Sequence, residues 1–226
     1  MWHPFYQPPD LAPWKGRSDA PRFHHLVKPF DFTEDKEFVG KNVVVLLGFC
    51  SDEGVRRNQG NVGAAEGPYA CRRALAPLPF HGPPSFTFYD GGNVVCRGNN
   101  LEGAQEALGH LLSLVYQQGA TPVVIGGGHE VAWAQHLGLE GAYPGENYSI
   151  VNLDAHFDLR PLEGEQGSSG TPFLQIAQEK ESFDYCCLGV QPLANTPALF
   201  AEAKRLGVVY FSAEDIYSKG IEESVD

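Results

Sequence analysis

Apolar runs and amphipathic stretches alternate along this chain with little interruption. "NVVVLLGF" (42–49) is a continuous β-branched and apolar run, the pattern of a strand buried on both faces. "FTFYDGG" (86–92) reads as a strand running into a turn, and "YACRRALAPL" (69–78) as a short helix ending near Pro77. "LEGAQEALGHLLSLVYQQG" (101–119) is the clearest helix. Leu101, Ala104, Leu108, Leu111, Leu112 and Val115 form one apolar stripe, and Gly119 stands where a helix C-cap belongs. The remainder reads as strand "TPVVIGGG", helix "HEVAWAQHLG", strand "YSIVNLDAH", helix "TPFLQIAQEK", strand "FDYCCLGV", helix "TPALFAEAKRLG", strand "VVYFS" and the start of a helix, "AEDIYSKG". Thr171 and Pro172 suit the N-cap and first helical positions of their helix. Such alternation predicts a mainly parallel sheet with helices on both faces, a three-layer α/β/α sandwich. One domain is expected over 1–226. Its first 38 residues, rich in Pro and aromatics and without a period, are expected to be an irregular arm.

Composition narrows the function. The chain has 226 residues and a formal net charge of −12, which argues against nucleic acid or anionic membranes as partners. No apolar run reaches the length of a membrane span, and the N-terminus lacks the basic start and apolar centre of a signal peptide. The five cysteines, Cys50, Cys71, Cys96, Cys186 and Cys187, are odd in number and form no C-x-x-C. They are expected to be reduced thiols of a cytoplasmic protein.

Two strand ends carry candidate chemistry, where α/β sheets bind ligands. In "VVIGGGHE" three glycines allow a tight turn and His129 emerges at a helix start. The spacing is that of neither phosphate-binding glycine motif. In "NLDAHFDLR" (152–160), Asp154, His156 and Asp158 occupy alternate positions after an apolar run. If the strand persists, they share one face. Three ionisable groups there need pairing or a cation. A His and carboxylate set without thiolate suits Mn²⁺, Fe²⁺, Co²⁺ or Zn²⁺ in a non-structural site. Asp154, His156 and Asp158 are therefore expected to face a metal, with His129 completing the group. His110 and His136, inside helices, read as structural, and Trp133 as core.

With "GGGHE" followed by "NLDAHFDLR", the chain resembles the arginase/agmatinase family of ureohydrolases. The loop "GVRRNQGNVGAAEGPYACRRAL" and the segment "DLRPLEGEQGSSGTPFLQI" resemble the branch that cleaves the formimidoyl group from glutamate. The resemblance runs from about residue 40 to the end. It implies an arginase-like α/β/α fold, two Mn²⁺ per subunit activating one water, a small amidine substrate and a homo-oligomer. It also implies that His129, Asp154 and Asp158 serve one metal and His156 the other, with Asp154 bridging. The family's third motif, S-x-D-x-D, does not occur in this chain, so the C-terminal part of the fold is expected to be missing and the second metal site incomplete. Ser169 stands where many arginases and agmatinases have a His, which fits the formimidoyl branch. Asn61 stands where that branch leads one to expect Arg.

A substrate with two carboxylates calls for cations near the metal. Arg160 is the first candidate, since guanidinium binds carboxylate as a fork. Arg56 and Arg57 follow, with Asn58, Ser168 and Ser169 as hydrogen-bonding groups. The alternatives are an agmatinase or guanidino-acid ureohydrolase, and a truncated, non-catalytic member of the family.

Overall fold

A computed structural model describes residues 4–19 and 21–220. In chain order the elements are β1 (Tyr6–Gln7), α1 (Phe23–Leu26), β2 (Val27–Pro29), β3 (Val43–Cys50), α2 (Glu53–Arg57), α3 (Gly67–Leu75), β4 (Thr87–Val95), α4 (Leu101–Gln117), β5 (Thr121–Ile125), α5 (Val131–Ala142), β6 (Ser149–Leu153), α6 (Pro172–Glu179), β7 (Asp184–Val190), α7 (Pro197–Arg205), β8 (Val209–Ser212) and α8 (Ala213–Lys219).

The run at 42–49 behaves as its composition requires. Val45, Leu47 and Phe49 of β3 enter one core with Leu101, Leu108, Leu111 and Leu112 of α4. Val44 and Leu46, on the opposite face, pack with Leu75 at the end of α3, and with Ala76 and Phe88. This period of two places helices on both faces of the sheet. α4 starts at Asn100, whose side chain accepts from the Gly103 amide, and ends before Gly119 at φ +68°.

The parallel strands fall into two sheets among the described residues. One has the order β1–β4–β3–β5 with β2 also on β4, and the other is β6–β7–β8. All pairings are parallel except β1 with β4. β5 and β6 therefore each present an edge to which no described strand is bonded. On β6, Val151 is 66% exposed, and Leu153 at its end 80%. Pro122 interrupts the donors of β5. β6, "SIVNL", contains neither Pro nor charge.

Two expectations need correction. The arm at 1–38 is not wholly irregular: β1 and β2 add to β4 at its ends, in segments too short to show a period. Gly91 and Gly92 do not end a strand. β4 continues to Val95 with a register shift against β3, and Gly92 takes φ +80°, which accommodates the irregularity without a Cβ penalty. Beneath this bulge lies a buried pair. Asp90 accepts from Arg72 Nε at 2.8 Å and Nη2 at 2.7 Å, from Trp14 Nε1 at 2.8 Å and from the Gly92 amide at 3.0 Å. Residues 221–226, the end of the expected C-terminal segment, lie outside the described residues. No described helix is long and apolar enough to cross a membrane.

Candidate metal centre

β5 is followed by Gly126 and Gly127, both at φ +76°. A Cβ on Gly126 would lie 2.7 Å from Pro68 Cδ, and one on Gly127 would lie 2.8 Å from the Phe49 carbonyl. The glycines thus let the turn pack against the ends of β3 and α3 and deliver His129 just before α5. On the facing side β6 stops at Leu153, so Asp154–Asp158 form a loop, not the strand continuation expected. The Asp154 amide donates to Leu188 O of β7 at 3.0 Å. Phe157 and Leu159 are buried in the second core, which turns the side chain between them, Asp158, the other way. Asp158 sits at φ +49°, a region that Asn and Asp enter more readily than most residues.

This loop brings three ligand groups together. One ligand atom each from His129, Asp154 and Asp158 all lie within 4.8 Å of one another. His129 Nδ1 is 2.7 Å from Asp158 Oδ2 and 3.0 Å from Asp154 Oδ2. Burial lowers the proton affinity of His129, but the Asp158 hydrogen bond and the charges of Asp158 and Asp154 outweigh it, so its pKa is raised. The ring is held edge-on to Phe173, with centroids 5.3 Å apart. One nitrogen and two carboxylate oxygens, without thiolate, make a donor set that fits a divalent cation of the Mn²⁺ or Zn²⁺ type. Two carboxylates within 3.0 Å of one imidazole nitrogen mark a place where positive charge is stabilised.

His156 stands outside this group. Its side chain is 56% exposed, and its Nδ1 lies 3.2 Å from Asp154 Oδ1, the oxygen other than the one facing His129. Even spacing in sequence therefore did not put the three residues on one face, because the loop turns after Leu153.

A cavity of about 310 Å³ is lined by His129, Asp154, His156 and Asp158 together with Asn58, Arg160 and Ser169. A second, of about 350 Å³, shares Asn58 and Arg160 and adds Arg56, Arg57 and Ser168. Arg160 reaches this place without the expected strand: its amide donates to Gly170 O at 2.9 Å. Asn58 Nδ2 donates to Ser169 Oγ at 3.1 Å. The three arginines differ. Arg57 is bound to Glu53, Glu102, Gly167 O and Asn99 O, and Arg56 makes a two-point contact with Glu53. Arg160 has no anionic partner among the described residues. His136 and Trp133 sit outside this cavity. His136 is buried against Tyr148 and Glu179.

Two residues escaped sequence reasoning. Asn195 accepts from the Phe157 amide at 3.1 Å and donates to Ala155 O at 2.8 Å, which pins the ligand loop. In "QPLANTP" it reads as ordinary turn chemistry. Glu130 is fully buried beside His129, and burial pushes its carboxyl above the usual carboxylate range. A charged residue at the head of an apolar helix was its signal.

Together these features define an α/β protein with a histidine–carboxylate cluster, suited to a divalent cation, at the carboxyl ends of parallel strands. Residues 42–226 match the arginase family, and the chain belongs to that family. It is 43% identical over 228 residues to a formimidoylglutamase of Geobacillus thermodenitrificans, covering 98% of this chain and 70% of the relative. It is 42% identical over 221 residues to one of Legionella pneumophila, covering 95% and 68%. Among solved structures, a Trypanosoma cruzi formiminoglutamase with Mn²⁺ is similar at TM-score 0.71 and 29% identity, over 80% of this chain and 63% of that one. A Bacillus subtilis formimidoylglutamase shares the fold at TM-score 0.80 and 18% identity, over 93% of this chain and 65% of that one.

Proposed function

We propose that this chain belongs to a hydrolase that cleaves N-formimidoyl-L-glutamate to L-glutamate and formamide. The observation that carries the reading is Arg160, an uncommitted guanidinium bordering the cavity that His129, Asp154 and Asp158 also line. A substrate with two carboxylates and a hydrolysable C–N bond has both ends matched there. Arg160 would take a carboxylate as a two-point fork. Asn58 and Ser169 would hydrogen-bond the glutamate part, and their mutual bond orients both. His129, Asp154 and Asp158 would hold Mn²⁺, with His156 beside Asp154 available to a second ion. A divalent cation there supplies Lewis acidity, which lowers the pKa of water toward neutrality and polarises the carbon under attack. Arg57, locked by Glu53 and Glu102, fixes the loop that carries Asn58. The reading makes the reaction a step of histidine breakdown in the cytoplasm, which the five unpaired thiols suit.

Agmatine, a cation, would meet Arg160 with like charge. The test compares release of formamide from N-formimidoyl-L-glutamate with release of urea from agmatine, using the Mn²⁺-loaded chain and its Arg160→Ala variant. The expected result is turnover of the first substrate alone, with KM raised about tenfold or more in the variant. Agmatine turnover, or an unchanged KM, would overturn the assignment. The ligand count favours a second reading. With three groups clustered and His156 apart, the chain would bind one cation without catalysing, and this predicts one Mn²⁺ per chain and no turnover of either compound.

A further inference from the structure

Glu130 lies between the metal-ligand turn and the loops that line the cavity, and its surroundings are built around its carboxyl. Oε1 accepts from Ser51 Oγ at 3.1 Å and from the Gly54 amide at 3.2 Å. Oε2 is buried without a hydrogen-bond partner among the described residues. A Cβ on Gly54 or on Gly128 would collide with this carboxyl, so both positions are clear of side chain where it sits. The Glu130 backbone is itself fixed, since buried Gln105 of α4 donates from Nε2 to its carbonyl at 2.7 Å. The other end of Gly54 carries the link onward. Its carbonyl accepts from the Asn58 amide at 3.1 Å and from the Ser169 amide at 3.0 Å.

We propose that Glu130 is a positioning residue for substrate recognition. From the position next to His129, it fixes Gly54, and through Gly54 it fixes Asn58 and Ser169 in register with the metal-ligand turn. This rests on the reading of Asn58, Arg160 and Ser169 as the substrate-facing groups. A carboxyl is suited to the task because one oxygen can hold two donors on a neighbouring loop while its own backbone is held by a helix. Removing it leaves the ligand groups intact and frees the loops, so recognition suffers and cation binding does not.

The test uses Glu130→Ala and Glu130→Gln in the Mn²⁺-loaded chain, with Gly54→Ala as an independent disturbance of the same contact should E130A fold poorly. Amide exchange by mass spectrometry reads peptides covering 51–58 and 167–171, with the α4 peptide as reference. E130A and G54A are expected to lose protection in both loops and to keep it in α4. KM for N-formimidoyl-L-glutamate is expected to rise about tenfold or more, with kcat and Mn²⁺ content close to wild type. E130Q, which retains the Oε1 acceptor, is expected to restore KM to within about threefold of wild type. Unchanged protection, or lost Mn²⁺ with unchanged KM, overturns the proposal. A wild-type chain that turns over neither N-formimidoyl-L-glutamate nor agmatine sinks the functional reading instead, and the two failures are distinct.

Discussion

Asp158→Asn is the sharpest test of the metal cluster. Asp158 sits at φ +49°, a conformation that Asn adopts with little cost, so the substitution changes charge and ligation without a backbone penalty. It removes one of two carboxylates flanking His129, the nearer at 2.7 Å. At about a hundredfold excess of Mn²⁺ over Kd, binding stabilises the native state by about 2.7 kcal/mol. For a chain of this size each kcal/mol is worth about 2–4 °C, so Mn²⁺ should raise Tm by about 5–11 °C. Loss of a direct ligand should weaken binding about a hundredfold, the upper end of what altering a mere supporting residue costs. The same Mn²⁺ then sits near Kd, and the gain falls to about 0.4 kcal/mol, or about 1–2 °C. The assay is thermal unfolding of wild type, D158N and E163Q, each with and without Mn²⁺. Comparing Mn²⁺-induced shifts cancels the loss of the His129–Asp158 hydrogen bond from the metal-free baseline. Glu163 lines only the adjoining cavity, so E163Q should keep the full shift. If D158N keeps it too, these three groups do not hold the ion.

Protons should compete with the cation. Because the His129 pKa is raised in the folded, metal-free state, its protonated form contributes stability that is full below the unfolded value of about 6.5 and is lost as pH rises through the folded value. Mn²⁺ binding should accordingly release protons at about pH 6.5 and fewer as pH rises through the folded value, read by calorimetry in buffers of different ionisation heat. Away from the site, Arg72→Met should leave Asp90 buried with only Trp14 and the Gly92 amide as donors. It should cost about 3–5 kcal/mol and lower Tm by about 6–20 °C in a thermal melt; a fall of under about 2 °C would show that the pair is not desolvated as described.

The elements legible in the sequence were those whose pattern outlasts one turn or one strand. β3 could be read because its eight residues are an unbroken apolar run, and α4 because its seventeen repeat a helical period. β1 and β2, of two and three residues, leave no period to read, and their place on β4 comes from tertiary pairing. The residue types of the metal cluster were equally plain, but its geometry was not. Alternating Asp154, His156 and Asp158 imitate a strand, while Phe157 and Leu159 are the residues whose burial shapes the loop. The family resemblance implies the grouping of His129 with Asp154 and Asp158 apart from His156, but the spacing does not, because the separation depends on a left-handed residue and on Asn195, forty positions away from Ala155. Likewise the sequence puts Arg160 ahead of Arg56 and Arg57 without showing which of the three are paired. Only the placement of Glu53 and Glu102 separates Arg160 from the two that are already paired.

The free edge of β6 has a consequence for the protein as a material. Its outer donors and acceptors are aligned and bonded to no described strand, with Val151 and Leu153 exposed beside them. Unlike β5 with Pro122, it carries no residue that resists the addition of another strand. Encounters between molecules can then be converted into intermolecular sheet without unfolding either one. Loss by this route is second order in protein, so dilution should lengthen the working lifetime of a sample.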